Sequence, residues 1–210
     1  MRNLSLAINF LNLSLLIMGS LVSSVGLAQS SGNYPNKPIT LVVTYPPGGG
    51  ADAMARLLAP KMGEALGQSV IVENKPGASG QIAAAAVAKS APDGYTMMLD
   101  ASSFAVNPSL YSKLPYDSLK AFKPIGVVAL FPNVVLVNSN FSAKNVSELI
   151  ATAGKTKESV SYASSGNGSA QHLAGALFES AAKVDMVHVP YKGGGPALND
   201  VIGEIGRAHV

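Results

Sequence analysis

A glycine-rich run, Tyr45-Pro46-Pro47-Gly48-Gly49-Gly50-Ala51-Asp52, constrains the fold of this chain more than any other feature. It follows residues 39–44, which are β-branched or apolar throughout and predict a buried strand. It precedes residues 53–66, where apolar side chains recur at spacings of three and four and predict a helix. A helix that begins after such a loop leaves several N–H groups without helical partners, and its dipole adds partial positive charge. The run therefore predicts an anion site that needs no cationic side chain.

The same alternation of strand, loop and helix continues along the chain. We predict strands at Ile39–Tyr45, Val70–Asn74, Tyr95–Leu99, Ile125–Leu130, Asn133–Asn138, Val160–Ala163 and Met186–Val189. Short loops between alternating strands and helices are typical of a parallel α/β sheet. Phe131-Pro132 is a candidate crossing point, so we expect a first α/β lobe at 34–130 and a second at 131–203.

Three further polar or glycine-rich loops follow predicted strands, at Asp100–Ser103, Ser164–Ser169 and Pro190–Gly195. In an open parallel sheet such loops gather at the carboxyl edge, where ligands bind. Serine hydroxyls there can donate hydrogen bonds to an acid. The candidate ligand-binding residues are Tyr45, Pro46, Gly48, Gly49, Gly50, Ala51, Asp52, Ser102, Ser103, Ser165, Gly166, Asn167, Gly168, Ser169, His172 and Lys192.

Several of these side chains have a second, purely structural interpretation. Asp52 either caps the helix or pairs with an ammonium or hydroxyl group of a ligand. The serines either bind a carboxylate or stabilise turns. His172 either faces the cleft or lies in the core or on the surface, and Lys192 either attracts an anion or is merely solvated.

Composition excludes several classes of protein. The chain has 210 residues, a net charge of +3 and no cysteine. Disulfides, thiolate metal sites and cysteine nucleophiles are therefore excluded. Lys and Arg are scattered rather than grouped in a basic stripe, so we expect no nucleic-acid partner.

No catalytic or metal-binding motif is present. The chain has no H-E-x-x-H, no G-x-S-x-G and no P-loop, so we predict no enzyme, no cofactor and no metal. The enzymatic alternative is an NAD-dependent oxidoreductase, because Gly48-x-Gly50-x-x-Ala53 matches a Rossmann-like loop and Glu73 follows about 20 residues later. The two prolines before the glycines, the predicted export and the loops of the second half disfavour that alternative.

The two ends of the chain also suggest processing. Arg2, the apolar stretch Leu4–Leu27 and the small residues before Gln29 predict a signal peptide at 1–28, cleaved after Ala28. The alternative is an uncleaved membrane anchor. Residues 204–210 fit no predicted element, and we expect them to be a non-native tail on a longer protein.

An ordered set of motifs resembles one known family. The motifs begin with Tyr34-Pro35-x-Lys37-Pro38-Ile39, the Pro-Pro-Gly-Gly-Gly loop with Asp52, Val72-Glu73-Asn74-Lys75-Pro76-Gly77-Ala78-x-Gly80 and Ala91-Pro92-Asp93-Gly94-Tyr95-Thr96. They continue with Ser164-Ser165-Gly166-x-Gly168-Ser169-x-x-His172-Leu173 and His188-Val189-Pro190-Tyr191-Lys192-Gly193. The set resembles the substrate-binding proteins of tripartite tricarboxylate transporters, the Bug family of periplasmic receptors.

The resemblance implies a periplasmic-binding-protein-like fold of type II, a Venus flytrap of two α/β lobes, with the second lobe incomplete here. It implies a monomeric periplasmic receptor that closes on a small carboxylate and delivers it to the membrane permease subunits. By matching motif, the carboxylate would be held by Gly48–Asp52 in one lobe and Ser165–Ser169 in the other, largely through backbone amides and water.

Overall fold

A computed structural model describes residues 34–156, 159–203 and 208–209, and those from Lys37 onward belong to one unit. The strands are β1 (Ile39–Val43), β2 (Val70–Asn74), β3 (Thr96–Leu99), β4 (Leu136–Val137), β5 (Ser161–Ser164), β6 (Val187–Pro190) and β7 (Ala208–His209). The helices are α1 (Gly50–Leu66), α2 (Gln81–Ala88), α3 (Ser103–Leu110), α4 (Val146–Ala153), α5 (Ala170–Ala182) and α6 (Gly194–Ile202). A single 3₁₀ turn, Ala78–Gly80, precedes α2. The expected α/β fold is confirmed.

The first sheet has the strand order β2-β1-β3 and is parallel throughout. Its central strand β1 is buried along nearly its whole length, as its apolar sequence predicts. Leu41 and Val43 pack against Ala55 of α1, and this contact fixes the helix against the sheet. The position of α1 places its first turn at the carboxyl edge of β1.

The second sheet has the order β4-β7-β5-β6, in which β4 is antiparallel to β7 and the other pairs are parallel. Its core contains Val160, Tyr162 and Met186, covered by Leu149 of α4. Burial of this apolar surface anchors β5, whose carboxyl end leads into the predicted loop Ser164–Ser169.

The structure corrects three predictions, two in the middle and one at the end of the chain. Ile125–Leu130 is not a strand, and of Asn133–Asn138 only Leu136–Val137 is extended and paired. Apolar character alone predicted strands there, but a strand also needs a ladder partner, and the described residues supply none for 125–130. Ala208 and His209 do belong to an element, β7, although we expected none in 204–210; the rest of that tail lies outside the described residues.

The predicted signal peptide, 1–28, also lies outside the described residues. Within the part of the chain that the structure describes, no helix has the length and apolar character to cross a bilayer.

Candidate functional site

The loop after β1 contacts the first turn of α6. A Cβ atom placed on Gly193 would lie 2.7 Å from Cγ of Pro46, so only glycine allows this approach. A Cβ atom placed on Gly195, two residues further, would lie 3.6 Å from the carbonyl oxygen of Gly48. The first and the last of the predicted loops are therefore neighbours.

The loop after β5 joins this group from the other side. The Gly193 N–H donates to the Ser165 carbonyl over 3.1 Å, and the Tyr191 N–H donates to the Ser164 carbonyl over 3.0 Å. A Cβ on Gly168 would lie 2.7 Å from Cδ1 of Leu110, at the end of α3. The Tyr45 hydroxyl also donates to Ser103, in the loop after β3. All four predicted loops thus converge on one region.

Asp52 is buried and holds the first loop in shape. Its Oδ2 accepts hydrogen bonds from the Gly48 N–H (2.9 Å) and from Nε of Arg56 (3.0 Å), and its Oδ1 accepts one from Nδ2 of Asn74 (2.9 Å). The hydrogen bond from Arg56 is the main reason that the pKa of Asp52 falls to about 2. Asp52 therefore bonds within the loop and to neighbouring side chains and does not act as the helix cap, and the Gly48 N–H that it binds was among the predicted anion donors.

The remaining donors of the first loop are the N–H groups of Gly50, Ala51 and Asp52. They occupy the first turn of α1, where an α-helix has no partners for its N–H groups. The preceding residue, Gly49, is extended, and no side-chain cap closes this helix. These amides and the helix dipole form the part of the predicted anion site that remains available to a ligand.

The loop after β5 uses most of its own donors internally. The Gly166 N–H donates to Oγ of Ser164, and the Gly168 N–H donates to Nδ1 of His172, each over 3.1 Å. Ser169 is buried, and its Oγ accepts from the His172 N–H as the cap of α5. The N–H groups of Ala170 and Gln171 lie in the first turn of α5, where an α-helix has no partners for its N–H groups.

Two stacked histidines form hydrogen bonds with the loop Ser164–Ser169. The imidazole rings of His172 and His188 lie 3.9 Å apart at an angle of 9°, and Nε2 of His188 lies 2.7 Å from Oγ of Ser164. Burial, and secondarily the neighbouring His172, lowers the pKa of His188 to about 4. Sequence reasoning selected His172 but missed His188, because no spacing rule connects them.

The loop after β3 is organised by Asp100, which was likewise not among the candidates. Oδ1 of Asp100 accepts from Oγ of Ser103 (2.8 Å), and its Oδ2 accepts from the Phe104 N–H (2.8 Å). The Tyr45 hydroxyl donates to Oγ of Ser103 over 3.2 Å. Burial, followed by the charge of Asp100, raises the pKa of Tyr45. Ser103 is thus occupied, whereas Oγ of Ser102 is buried with no hydrogen-bond partner in the described part of the chain.

The remaining candidates and cavities add little to this region. Lys192 is exposed, and none of the ion pairs among the described residues includes it. A surface cavity of about 740 Å³ lies away from the four loops, beside α1 and β2, and is lined in part by Arg56, Gly63 and Ser69. The described ranges contain no group of three His, Asp or Glu side chains arranged to hold a metal.

Comparison with known proteins identifies the class to which this fold and loop arrangement belong. Residues 54–209 match the model of the family described as "Tripartite tricarboxylate transporter family receptor" (TctC). The chain belongs to this family, which confirms the resemblance seen in the motifs. The family and the matched structures are solute-binding proteins rather than enzymes.

Individual relatives agree with this assignment. The chain is 37% identical over 183 residues to a UPF0065 protein of the tcbD-tcbE intergenic region of Pseudomonas sp., which covers 87% of this chain and 54% of the relative. It is 38% identical over 200 residues to Protein BugT of Bordetella pertussis, covering 93% and 61%. The chain therefore spans between half and two thirds of the length of these curated relatives.

Solved structures show the same fold. An R. palustris protein solved with adipate superposes with a TM-score of 0.81 at 35% identity, covering 83% of this chain and 59% of the other. MatC from Rhodopseudomonas palustris with bound malate superposes with a TM-score of 0.76 at 32% identity, covering 83% and 60%.

Proposed function

We propose that this protein is an extracytoplasmic receptor that captures a small carboxylate and delivers it to the permease subunits of a tripartite tricarboxylate transporter. The observation that carries the proposal is the uncapped first turn of α1, which begins in the loop that contacts the loops after β5 and β6. The amides of such a turn and the helix dipole favour an anion without requiring a lysine or arginine.

The charge pattern of the loops supports an acid as the ligand. Asp52 is the acid in the first turn of α1, and Arg56 compensates its charge. The first turn of α5 offers a second set of amides beyond the buried cap Ser169. A ligand with two acidic groups, or an acid with a polar far end, can bind both turns. It would so favour contact between the half that carries the first sheet (residues 37–130) and the half that carries the second (131–203).

The relatives narrow the class of acid. One matched structure holds adipate and another holds malate, both linear dicarboxylates. We therefore place C4 to C6 dicarboxylates first in the ligand class, followed by tricarboxylates and aromatic acids. The chain's own selectivity depends on side chains around the loops, such as the unpartnered hydroxyl of Ser102.

Thermal unfolding with a panel of acids tests the proposal. Adipate, malate, citrate and benzoate are added separately, with NAD as the ligand of the disfavoured enzymatic alternative. A true ligand at about 100 times its Kd stabilises the fold by about 2.7 kcal/mol and raises Tm. Calorimetry then measures its Kd. A panel in which only NAD raises Tm, or in which nothing does, contradicts the proposal.

Location and partners follow from the same proposal. We expect export to the periplasm, cleavage after Ala28, and a monomer that docks on the permease only transiently. N-terminal sequencing of the protein recovered from the periplasm tests the cleavage site. Recovery of the intact chain in the membrane fraction would favour the uncleaved anchor instead.

A further inference from the structure

We propose that Ser79 is a positioning residue. Its hydrogen bond to Asn167, here called the clasp, holds the loop Ser164–Ser169 against the first half of the protein. Its Oγ donates a hydrogen bond to the carbonyl oxygen of Asn167 over 2.9 Å, between residues 88 positions apart in sequence. Asn167 lies within the loop that precedes α5. The inference rests on the proposed function, since it assigns Ser79 a part in presenting that loop to the ligand.

The backbone at Ser79 has an unusual conformation. Ala78 and Ser79 have φ values of 47° and 52°, in the left-handed region that residues with a Cβ atom seldom adopt. Two such residues in succession persist only where the surroundings hold them, and such strain gathers at functional positions. The turn is therefore built to present a particular group rather than merely to reverse the chain.

The surroundings of the turn connect it to the first binding loop. The next residue, Gly80, is buried, and a Cβ atom there would lie 3.2 Å from Thr44, Asp100 and Ser103. Thr44 ends the segment that leads into the glycine-rich run, and Asp100 organises the loop after β3. The turn that carries Ser79 thus packs against residues of the loops after β1 and β3.

Helix α3 holds Ser79 from the other side. Asn107 is fully buried, and its Nδ2 donates to the Ser79 carbonyl over 2.9 Å. The Tyr111 hydroxyl lies 3.1 Å from Oγ of Ser79. With its backbone fixed by Asn107 and its hydroxyl flanked by Tyr111, Ser79 needs no rearrangement to reach Asn167.

The hydrogen bond from Ser79 to Asn167 therefore connects the two halves at the loop Ser164–Ser169. Asn167 lies between Gly166 and Gly168, whose amides are already fixed within their own loop. The clasp therefore adds a side-chain hydrogen bond from the first half to residues 164–169. Contact between the halves fixes this loop, and a fixed loop favours continued contact.

The test measures contact between the halves directly. The chain has no cysteine, so Ala65→Cys on α1 and Ser180→Cys on α5, both at exposed positions, accept spin labels at two defined sites. Pulsed electron resonance then gives the distribution of distances between them, first without acid. Ser79→Ala removes the hydroxyl, Ser79→Gly removes the hydroxyl and relieves the strained φ, and Ser90→Ala removes a hydroxyl that bonds within its own helix segment.

We expect both Ser79 variants to shift the distribution towards longer distances and Ser90→Ala to leave it unchanged. For an acid that binds the parent protein, each Ser79 variant should weaken Kd roughly three-fold, as expected for one hydrogen bond open to solvent. Ser79→Gly should do so while keeping or raising Tm, because it removes a strained conformation. A purely structural serine would change Tm and leave both distance and Kd unchanged.

An unchanged distance distribution in both Ser79 variants overturns the clasp. The distance measurement needs no ligand, so it decides this point even if no acid binds the parent protein. Failure of the whole acid panel would instead count against the proposed function. If Ser79→Ala does not fold, Ser79→Gly decides alone.

Discussion

The buried carboxylate of Asp52 offers a sharp test of how the first loop is held. Asp52→Ala removes the acceptor of three hydrogen bonds, from the Gly48 N–H, Nε of Arg56 and Nδ2 of Asn74, at 2.9 to 3.0 Å. The glycine-rich loop then loses the contact that ties its first amide to α1. We therefore expect lower stability together with weaker binding of an acid.

The magnitude follows from the kind of bond that is lost. A hydrogen bond to a charged group contributes about 1.5–3 kcal/mol, and bonds that share one carboxylate are not additive. Because the side chain of Arg56 is half exposed, its share is at the low end. We expect Asp52→Ala to lower the free energy of unfolding by about 2–4 kcal/mol, and Asp52→Asn, which keeps one acceptor oxygen, by about 1–2 kcal/mol.

Urea denaturation measures these values, and Glu64→Ala is the matched control. Glu64 lies on the same helix but forms an exposed ion pair with Lys61 at 3.4 Å, so its loss should cost less than about 1 kcal/mol. An Asp52→Ala protein as stable as Glu64→Ala would refute the reasoning. A loss of affinity with unchanged stability would instead show that Asp52 contacts the ligand.

Acid pH gives an independent check on Asp52. Its folded pKa of about 2 lies below the ordinary value of 3.8, so the ionised form is the one that stabilises the fold. The stability it contributes is present above pH 3.8 and is lost as pH falls towards 2. The difference in stability between the parent protein and Asp52→Asn should therefore shrink across that window.

Two further predictions concern the loop Ser164–Ser169 and His188, which bonds to it. The pKa of His188, about 4 in the fold against 6.5 ordinarily, means that stability is complete above pH 6.5 and declines as pH falls towards 4. After discounting for its partly exposed position, the loss should be about 1–2 kcal/mol, and thermal unfolding should show a flatter pH profile for His188→Gln; equal profiles would contradict the assignment. Gly168→Ala places a methyl group about 2.7 Å from Leu110 at a φ of 74°, so calorimetry should show at least roughly ten-fold weaker acid binding; parent-like affinity would show that the halves need not meet there.

The parts of the fold that local pattern controls were predictable. Strand β1, the glycine run and helix α1 follow each other in sequence. The strand and the helix each have a characteristic apolar pattern, and the run between them has the glycines of a turn. The stretch Ile125–Leu130 shows the limit of such reasoning. It is as apolar as a buried strand, yet Ile125 is 84% exposed and Leu130 is 89% exposed, because pairing depends on a neighbour that no local pattern specifies.

The site shows the same division between local and long-range information. The loops were identified because they follow strands, but their free amides were not, since those depend on which side chains reach back to them. His172 takes the Gly168 amide and Asp52 takes the Gly48 amide, each only four residues away. Asp100 lay in a predicted loop, but its bonds to Ser103 and Phe104 were not predicted. Ser79 entered the site only through its contact with Asn167, 88 residues away, which sequence spacing does not indicate.

The most direct test of the account is to follow the backbone amides of the isotope-labelled protein by NMR while adipate or malate is added. We predict that the largest shift changes occur at Gly50, Ala51 and Ala170, in the first turns of α1 and α5. Changes concentrated instead at Gly63 and Ser69, in the cavity beside β2, would contradict the claim that main-chain donors of the two loops bind the acid.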